Sequence, residues 1–210
     1  MLGWFESLSF KSLQFTSRRF TSLAVLSTVF LLNGCSGLSV DHAAGREPVL
    51  DPRVFFDGKV CADGVVRDRS GAQIRSFNAR IVGTWDEQGV GTLDEVFYFV
   101  DDAGSEPTEE TRVWTLTPAV KEGRDVLMAK ATDVPEATEM TWAGNAIYMQ
   151  YTLRYGEPGD TIDLNMEDWM FQVADGVVIN ETRMSKFGLH VGQVMLVMRK
   201  VSDDAQCLPE

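Results

Sequence analysis

From Lys59 onward the chain alternates apolar and polar residues, broken at short intervals by glycines and acidic turn residues. The first run, Lys59–Arg67, meets a turn at Asp68-Arg69-Ser70-Gly71. In the next, Ile74–Trp85, a period of two sets Phe77, Ala79, Ile81 and Trp85 on one face, because successive side chains of a strand point to opposite sides. Gly89 and Gly91 end that run before Leu93–Val100. Arg112–Thr117, Val126–Ala131, Met140–Trp142, Ile147–Tyr155, Thr161–Val173, Val177–Met184 and Leu189–Lys200 continue the series, punctuated at Gly123, Gly144-Asn145, Asp175-Gly176 and Gly188. No long amphipathic helix stands out. About nine or ten short strands in succession predict an all-β fold, an antiparallel barrel or sandwich. Several strands are apolar on both faces, as expected where one side meets a core and the other meets a second layer or a ligand.

The N-terminal end follows a different grammar. Arg18 and Arg19 precede a mostly apolar run of 13 residues, Phe20–Leu32, closed by Asn33-Gly34-Cys35. Basic residues, a short apolar core and small residues form the pattern of a secretory signal. The run falls short of the roughly 20 residues that a membrane-spanning helix needs. A cysteine directly after glycine resembles a bacterial lipobox, so Cys35 is expected to be the lipid-bearing first residue of the mature protein. Ser36, in place of the aspartate that favours the inner membrane, points to the outer membrane, facing the periplasm. Residues 1–34 are then a lipoprotein signal peptide and 35–50 a lipidated tether without hydrophobic periodicity, in which His42 is solvated. Residues 51–210 form a single β-barrel domain.

Charge narrows the partners. Residues 1–34 hold three basic and one acidic residue, so of the chain's 19 basic and 31 acidic residues the mature protein keeps 16 and 30, a net charge of −14. That balance excludes a nucleic-acid partner, which needs a basic face to displace counterions from phosphates. It also opposes docking to anionic lipid, leaving the acyl chain as the membrane attachment. After lipidation two cysteines remain, Cys61 and Cys207. An oxidising compartment favours a bridge between them over two free thiols, and in a closed meander the bridge would staple the first strand to the last.

Catalytic signatures are weak. The predicted strands contain one histidine, His190, five residues from Ser185 across Gly188, and no Gly-x-Ser-x-Gly elbow. No catalytic residue, metal or cofactor is therefore assigned. Two carboxylates are more informative. Glu95 shares a face with Leu93, Phe97 and Phe99, and Asp168 with Leu164, Met166 and Met170. Charges on apolar faces are costly unless paired, and Arg112 (beside Trp114 and Leu116) and Arg183 (beside Val177 and Ile179) are available partners. Three readings are open: an internal ion-pair network, a lumen whose arginines hold an anionic head group, and paired carboxylates doing acid–base work. The last requires carboxyls of raised pKa lining a cleft, and pairing of both to arginine would count against it. Trp85, Trp114, Trp142, Trp169, Phe97, Phe99, Tyr148 and Tyr151 suit either a filled core or a cavity wall.

Trp85 with Asp94-Glu95, Arg112-Val113-Trp114, Gly144-Asn145-Ala146, Glu167-Asp168-Trp169-Met170 and Met184-Ser185-Lys186-Phe187-Gly188, followed by Gly192 and Arg199-Lys200, form a set. Together they resemble the domain of unknown function 3833 family of Gram-negative lipoproteins over about residues 49–200. Glu167 stands where the family pattern has aspartate. The resemblance implies a cell-envelope protein without an established activity, and the family's description beside genes for fatty-acid modification implies lipid handling.

The expectation is a lipocalin-like, antiparallel up-and-down barrel of about 8–10 strands, anchored to the membrane through Cys35. Its lumen is expected to bind a hydrophobic, fatty-acyl or lipid ligand without catalysis. Arg112, Arg183, Trp114, Tyr151, Trp169, Glu95 and Asp168 are the candidate ligand contacts. The alternative is a structural or assembly lipoprotein that docks a protein partner, with a filled core and an exposed apolar patch.

Overall fold

Ten strands follow one another round a closed ring in the computed structural model, which describes residues 39–101, 105–157 and 159–208. The predicted signal peptide and Cys35 lie outside the described residues. The strands are β1 (Gly58–Asp68), β2 (Gln73–Trp85), β3 (Gly91–Val100), β4 (Thr108–Lys121), β5 (Arg124–Ala131), β6 (Val134–Ala143), β7 (Ala146–Glu157), β8 (Asp160–Ala174), β9 (Val177–Lys186) and β10 (Leu189–Lys200). Each pairs antiparallel with its chain neighbours, and β1 pairs with β10 from Val60↔Lys200 to Asp68↔Gly192. The expected up-and-down, lipocalin-like barrel is the one observed, and closure decides barrel over sandwich. Closure also removes the free strand edges that an open sheet would expose.

Strand alternation sorts the wall into an apolar inside and a charged outside. Phe77, Ala79 and Ile81 of β2 are buried, as are Leu164 and Met166 of β8. The outer face carries Asp63–Arg199, Arg154–Asp163 and Arg183–Glu167 ion pairs. A transmembrane β-barrel has the reverse polarity, with its apolar band outward. Cys61 of β1 and Cys207 beyond β10 form a disulfide, with Cα atoms 5.0 Å apart and a sequence separation of 146.

The turns β2–β3, β4–β5, β6–β7 and β8–β9 share one end of the barrel, and the N-terminal segment closes it. A single helical turn, α1 (Pro52–Phe55), starts with Asp51 Oδ1 accepting from the Arg53 N–H at 2.8 Å. It ends where Lys200 Nζ donates to the carbonyls of Val54, Phe55 and Asp57. Leu50, Phe55 and Phe56 are buried here as a floor under the barrel. Gly83 is required by this approach, since a Cβ there would lie 1.6 Å from the Phe56 carbonyl oxygen.

The tether expected over residues 35–50 is therefore too long. Val40–Ala43 forms a 3-10 turn whose Val40 and Ala43 are buried against Ala146 and Trp169. His42 is exposed, as expected, with its ring 5.4 Å from that of Trp169. The Leu50 N–H donates to the Gly144 carbonyl at 2.8 Å. Gly144, at φ +50°, leaves room for the Ala43 carbonyl. Three apolar residues so far apart produce no periodicity, so the segment reads as linker although it packs like core. Leu50→Ala is expected to cost about 3 kcal/mol, lowering Tm by roughly 6–12 °C in a thermal melt. A residue in a solvated tether would shift it by nothing measurable.

Candidate functional site

The inward side chains do not fill the barrel. A cavity of about 480 Å³ runs up from Phe56 at the floor to a rim of Ile74, Tyr155, Ile162 and Val191, all exposed. The rim lies at the end formed by the β1–β2, β3–β4, β5–β6, β7–β8 and β9–β10 turns, opposite the floor. Small-molecule sites usually enclose about 300–1,000 Å³. Six of the chain's nine methionines line the space: Met140, Met149, Met166, Met170, Met184 and Met198. Unbranched thioether side chains adapt their shape to what they enclose, so this lining suits an apolar guest of variable outline. Phe77, Phe97 and Phe99 form a mutually packed aromatic group on the β2–β3 wall, with ring centroids 5.0–5.8 Å apart. Gly64 on β1 is what admits the Phe77 ring, which a Cβ there would meet at 2.4 Å.

Five of the seven predicted contact residues come together inside. Glu95 of β3, Arg112 and Trp114 of β4, Tyr151 of β7 and Asp168 of β8 all line the cavity. Trp114 and Tyr151 meet edge to face at 5.4 Å. Arg112 does not pair with Glu95. Its guanidinium is bound by Asp133, with Nη2 2.7 Å and Nε 2.8 Å from Oδ2. Asp168 Oδ1 accepts from Asn180 Nδ2 and, at 3.1 Å, from Thr182 Oγ1, both on β9.

Burial governs the electrostatics. It pushes the Glu95 carboxyl up to about 7, with the Arg112 charge and the Trp114 indole N–H pulling back and Asp133 and Asp168 adding to the rise. Burial likewise raises Asp168 to about 6 against its hydrogen bonds from Asn180 and Thr182. The Tyr151 hydroxyl is raised by burial and by Asp168. For Arg112 burial opposes the charge, yet Tyr151, Glu95 and Asp133 outweigh it and hold the pKa above the ordinary value.

Two predicted contacts lie elsewhere. Arg183 faces outward, its side chain 62% exposed and 3.9 Å from Glu167. The inward face of β9 is Val178, Asn180, Thr182 and Met184, and the apolar Val177 and Ile179 beside Arg183 point away from the lumen. The error arose because the inner face carries polar residues whose hydrogen-bonding partner, Asp168, is on another strand. Trp169 also faces outward, since it follows the inward Asp168 directly. It stacks on Phe171 with ring planes 3° apart, packs against Tyr148 at 4.4 Å, and is covered by Val40 and Ala43. Tyr148 thus belongs to that outer cluster, and Trp142 to the closed end, where Arg53 sits 4.8 Å over its ring.

Sequence reasoning missed Asp133, Asn180, Thr182 and Arg75. Arg75 lies at the rim 3.9 Å over the Phe99 ring and bridges Asp101 and Glu110. The methionines were the available signal, since Met166, Met170, Met184 and Met198 fall on inward positions of three successive strands.

The family model described as "Protein of unknown function (DUF3833)" matches residues 29–200. The chain belongs to the DUF3833 family. Nothing among the curated proteins matches it. Of solved structures, Rv2717c from M. tuberculosis superposes with a TM-score of 0.50 at 11% identity, over 73% of this chain and 99% of that one. The S-type phycobiliprotein lyase CPES from Guillardia theta gives a TM-score of 0.49 at 10% identity, over 73% and 92%. At such identity the likeness to Rv2717c is one of fold alone. This DUF3833 barrel is hollow, and below the rim its lumen is apolar except for one cluster of polar side chains around Glu95, Arg112 and Asp168.

Proposed function

We propose that this DUF3833 protein is a binding barrel, lipid-anchored at Cys35 and facing the periplasm, that takes up a hydrophobic ligand through its open rim. The observation that carries the reading is the 480 Å³ methionine-lined cavity, floored by Phe56 and open opposite. A docking lipoprotein needs no such space, and its core would be filled. The rim does expose apolar side chains, Phe187 at 93% and Leu189 at 72%, but these border the opening and suit the passage of an apolar guest. The test is organic extraction of the protein purified from its own cells, followed by mass spectrometry, with titration of the extracted protein by N-phenyl-1-naphthylamine. A co-purifying apolar compound and saturable one-to-one dye uptake are expected; absence of both overturns the reading.

The anchor is tested separately. Cys35→Ser is expected to abolish incorporation of labelled palmitate. Residues 36–210 exported behind a non-lipoprotein signal are expected in the soluble periplasmic fraction. Retention of that acidic chain on membranes through a high-salt wash would refute the acyl anchor as its attachment.

One observation favours a second reading, acid–base catalysis on the bound guest. Glu95 and Asp168 line the cavity with raised pKa values, and neither is ion-paired among the described residues. A carboxyl near 7 is poised to give or take a proton at neutral pH. A mass or isomer change in the extracted ligand on incubation with wild-type protein, lost in Glu95→Gln, would support it; recovery of the ligand unchanged would exclude it.

A further inference from the structure

The polar groups of the lumen carry an excess of negative charge that points to the ligand's chemistry. Glu95 and Asp168 are 8% and 7% exposed, line the cavity, and form no ion pair among the described residues. Below the rim, Arg112 is the only cation among the described lining residues, and Asp133 occupies its fork. Both side-chain hydrogen bonds to Asp168 end on Oδ1, leaving Oδ2 to a guest. At the rim Arg75 is already matched by Asp101 and Glu110, and Lys186 lies 5.4 Å from the ring of its neighbour Phe187.

A carboxylate-headed guest would add to this excess and would find no free guanidinium deep in the barrel. An ammonium would find two carboxylates whose burial is costly until a cation joins them. We propose that the lumen recognises an apolar molecule bearing a basic nitrogen, bound as its ammonium form by Glu95 and Asp168. This rests on the reading of the barrel as a binding protein. The raised pKa of both carboxyls fits it, because a cation then draws protons off the site and binding strengthens as pH rises.

Isothermal titration of the soluble, unlipidated mature chain with decylamine, decanol and decanoate compares three head groups on one tail at physiological ionic strength. Decylamine is expected to bind at least about 10-fold tighter than decanoate at neutral pH, a difference of about 1.4 kcal/mol, and to tighten from about pH 5 to 8. The double variant Glu95→Gln, Asp168→Asn is expected to lose that preference and keep decanol binding. Only two of the mature chain's 30 acidic residues change, so amine adsorbed on the acidic surface would be retained. A preference that survives in the double variant overturns the inference. So does decanoate binding as tightly as decylamine in the wild type, a comparison that needs no variant. Failure of all three ligands to bind saturably overturns the binding-barrel reading itself, an outcome distinct from the other two.

Discussion

Cys207→Ser is expected to lower the unfolding free energy of the oxidised protein by about 4 kcal/mol, a large share of the roughly 5–15 kcal/mol margin of a typical domain. The bridge joins residues 146 apart, and the chain-entropy model assigns a loop of that length roughly 5 kcal/mol, which native proteins seldom return in full. Its position adds to the expectation. Cys61 lies on β1 and Cys207 beyond β10, so the bond spans the seam where the first strand meets the last. That seam has no hairpin, and every other neighbouring pair of strands is joined by a short connection. Guanidinium melts of the wild type with and without reductant, set beside Cys207→Ser and Cys61→Ser, check it. All three reduced or substituted forms should share one lowered midpoint. A loss below about 1 kcal/mol would mean that the β1–β10 ladder and the Lys59 bonds to the Asp203 and Ala205 carbonyls hold the seam alone.

Most of the fold was legible in the sequence because a strand's period of two is a strong local signal. All ten strand positions could be read from alternation and turn residues, though β4 and β6 begin several residues earlier than the apolar pattern suggests. Thr108–Thr111 and Val134–Glu139 pair through their backbones while exposing mostly polar side chains. The N-terminal floor was not legible. Val40, Ala43, Leu50, Phe55 and Phe56 are held by contacts with strands distant in sequence, up to 145 residues away for the Lys200 bond to Phe55, and nothing local marks them as core.

The site divides the same way. Glu95 and Asp168 stood out as charges among apolar neighbours of the same parity. Arg112 was found, but its partner Asp133 sits in the β5–β6 turn, where an aspartate looks like ordinary turn chemistry. Arg183 and Trp169 show the limit of alternation when both faces of a strand are apolar. Parity says which residues share a face, and only the closed ring says which face is inside. On β9 the inner face carries the polar Asn180 and Thr182, because they satisfy Asp168 across the strand pair, while the apolar Val177 and Ile179 lie outside.

The empty barrel is expected to be about 4 kcal/mol more stable at pH 5 than at pH 8. Glu95 rises from 4.5 to about 7 on folding, and Asp168 from 3.8 to about 6, with burial the main cause of both shifts. The folded state therefore holds protons that the unfolded chain has released. Stability is fully present below the unfolded values and is lost as pH climbs through the folded ones. Between pH 5 and 8 the loss comes to roughly 2–3 kcal/mol for Glu95 and about half that for Asp168. Asp41, Asp68 and Asp204 shift downward and act in the opposite sense, but they are surface groups that titrate below this window. The mature chain's −14 charge works in the same direction as the lumen, since self-repulsion eases as pH approaches the acidic range. Urea melts at the two pH values separate the contributions. Glu95→Gln should leave only about a third of the lumen's pH dependence, and the double variant with Asp168→Asn should leave the surface component alone. A wild-type protein as stable at pH 8 as at pH 5 would mean that both carboxylates find cations or water in the lumen. A bound cationic guest should have the same effect, so retained ligand would flatten the profile and its extraction would restore the slope.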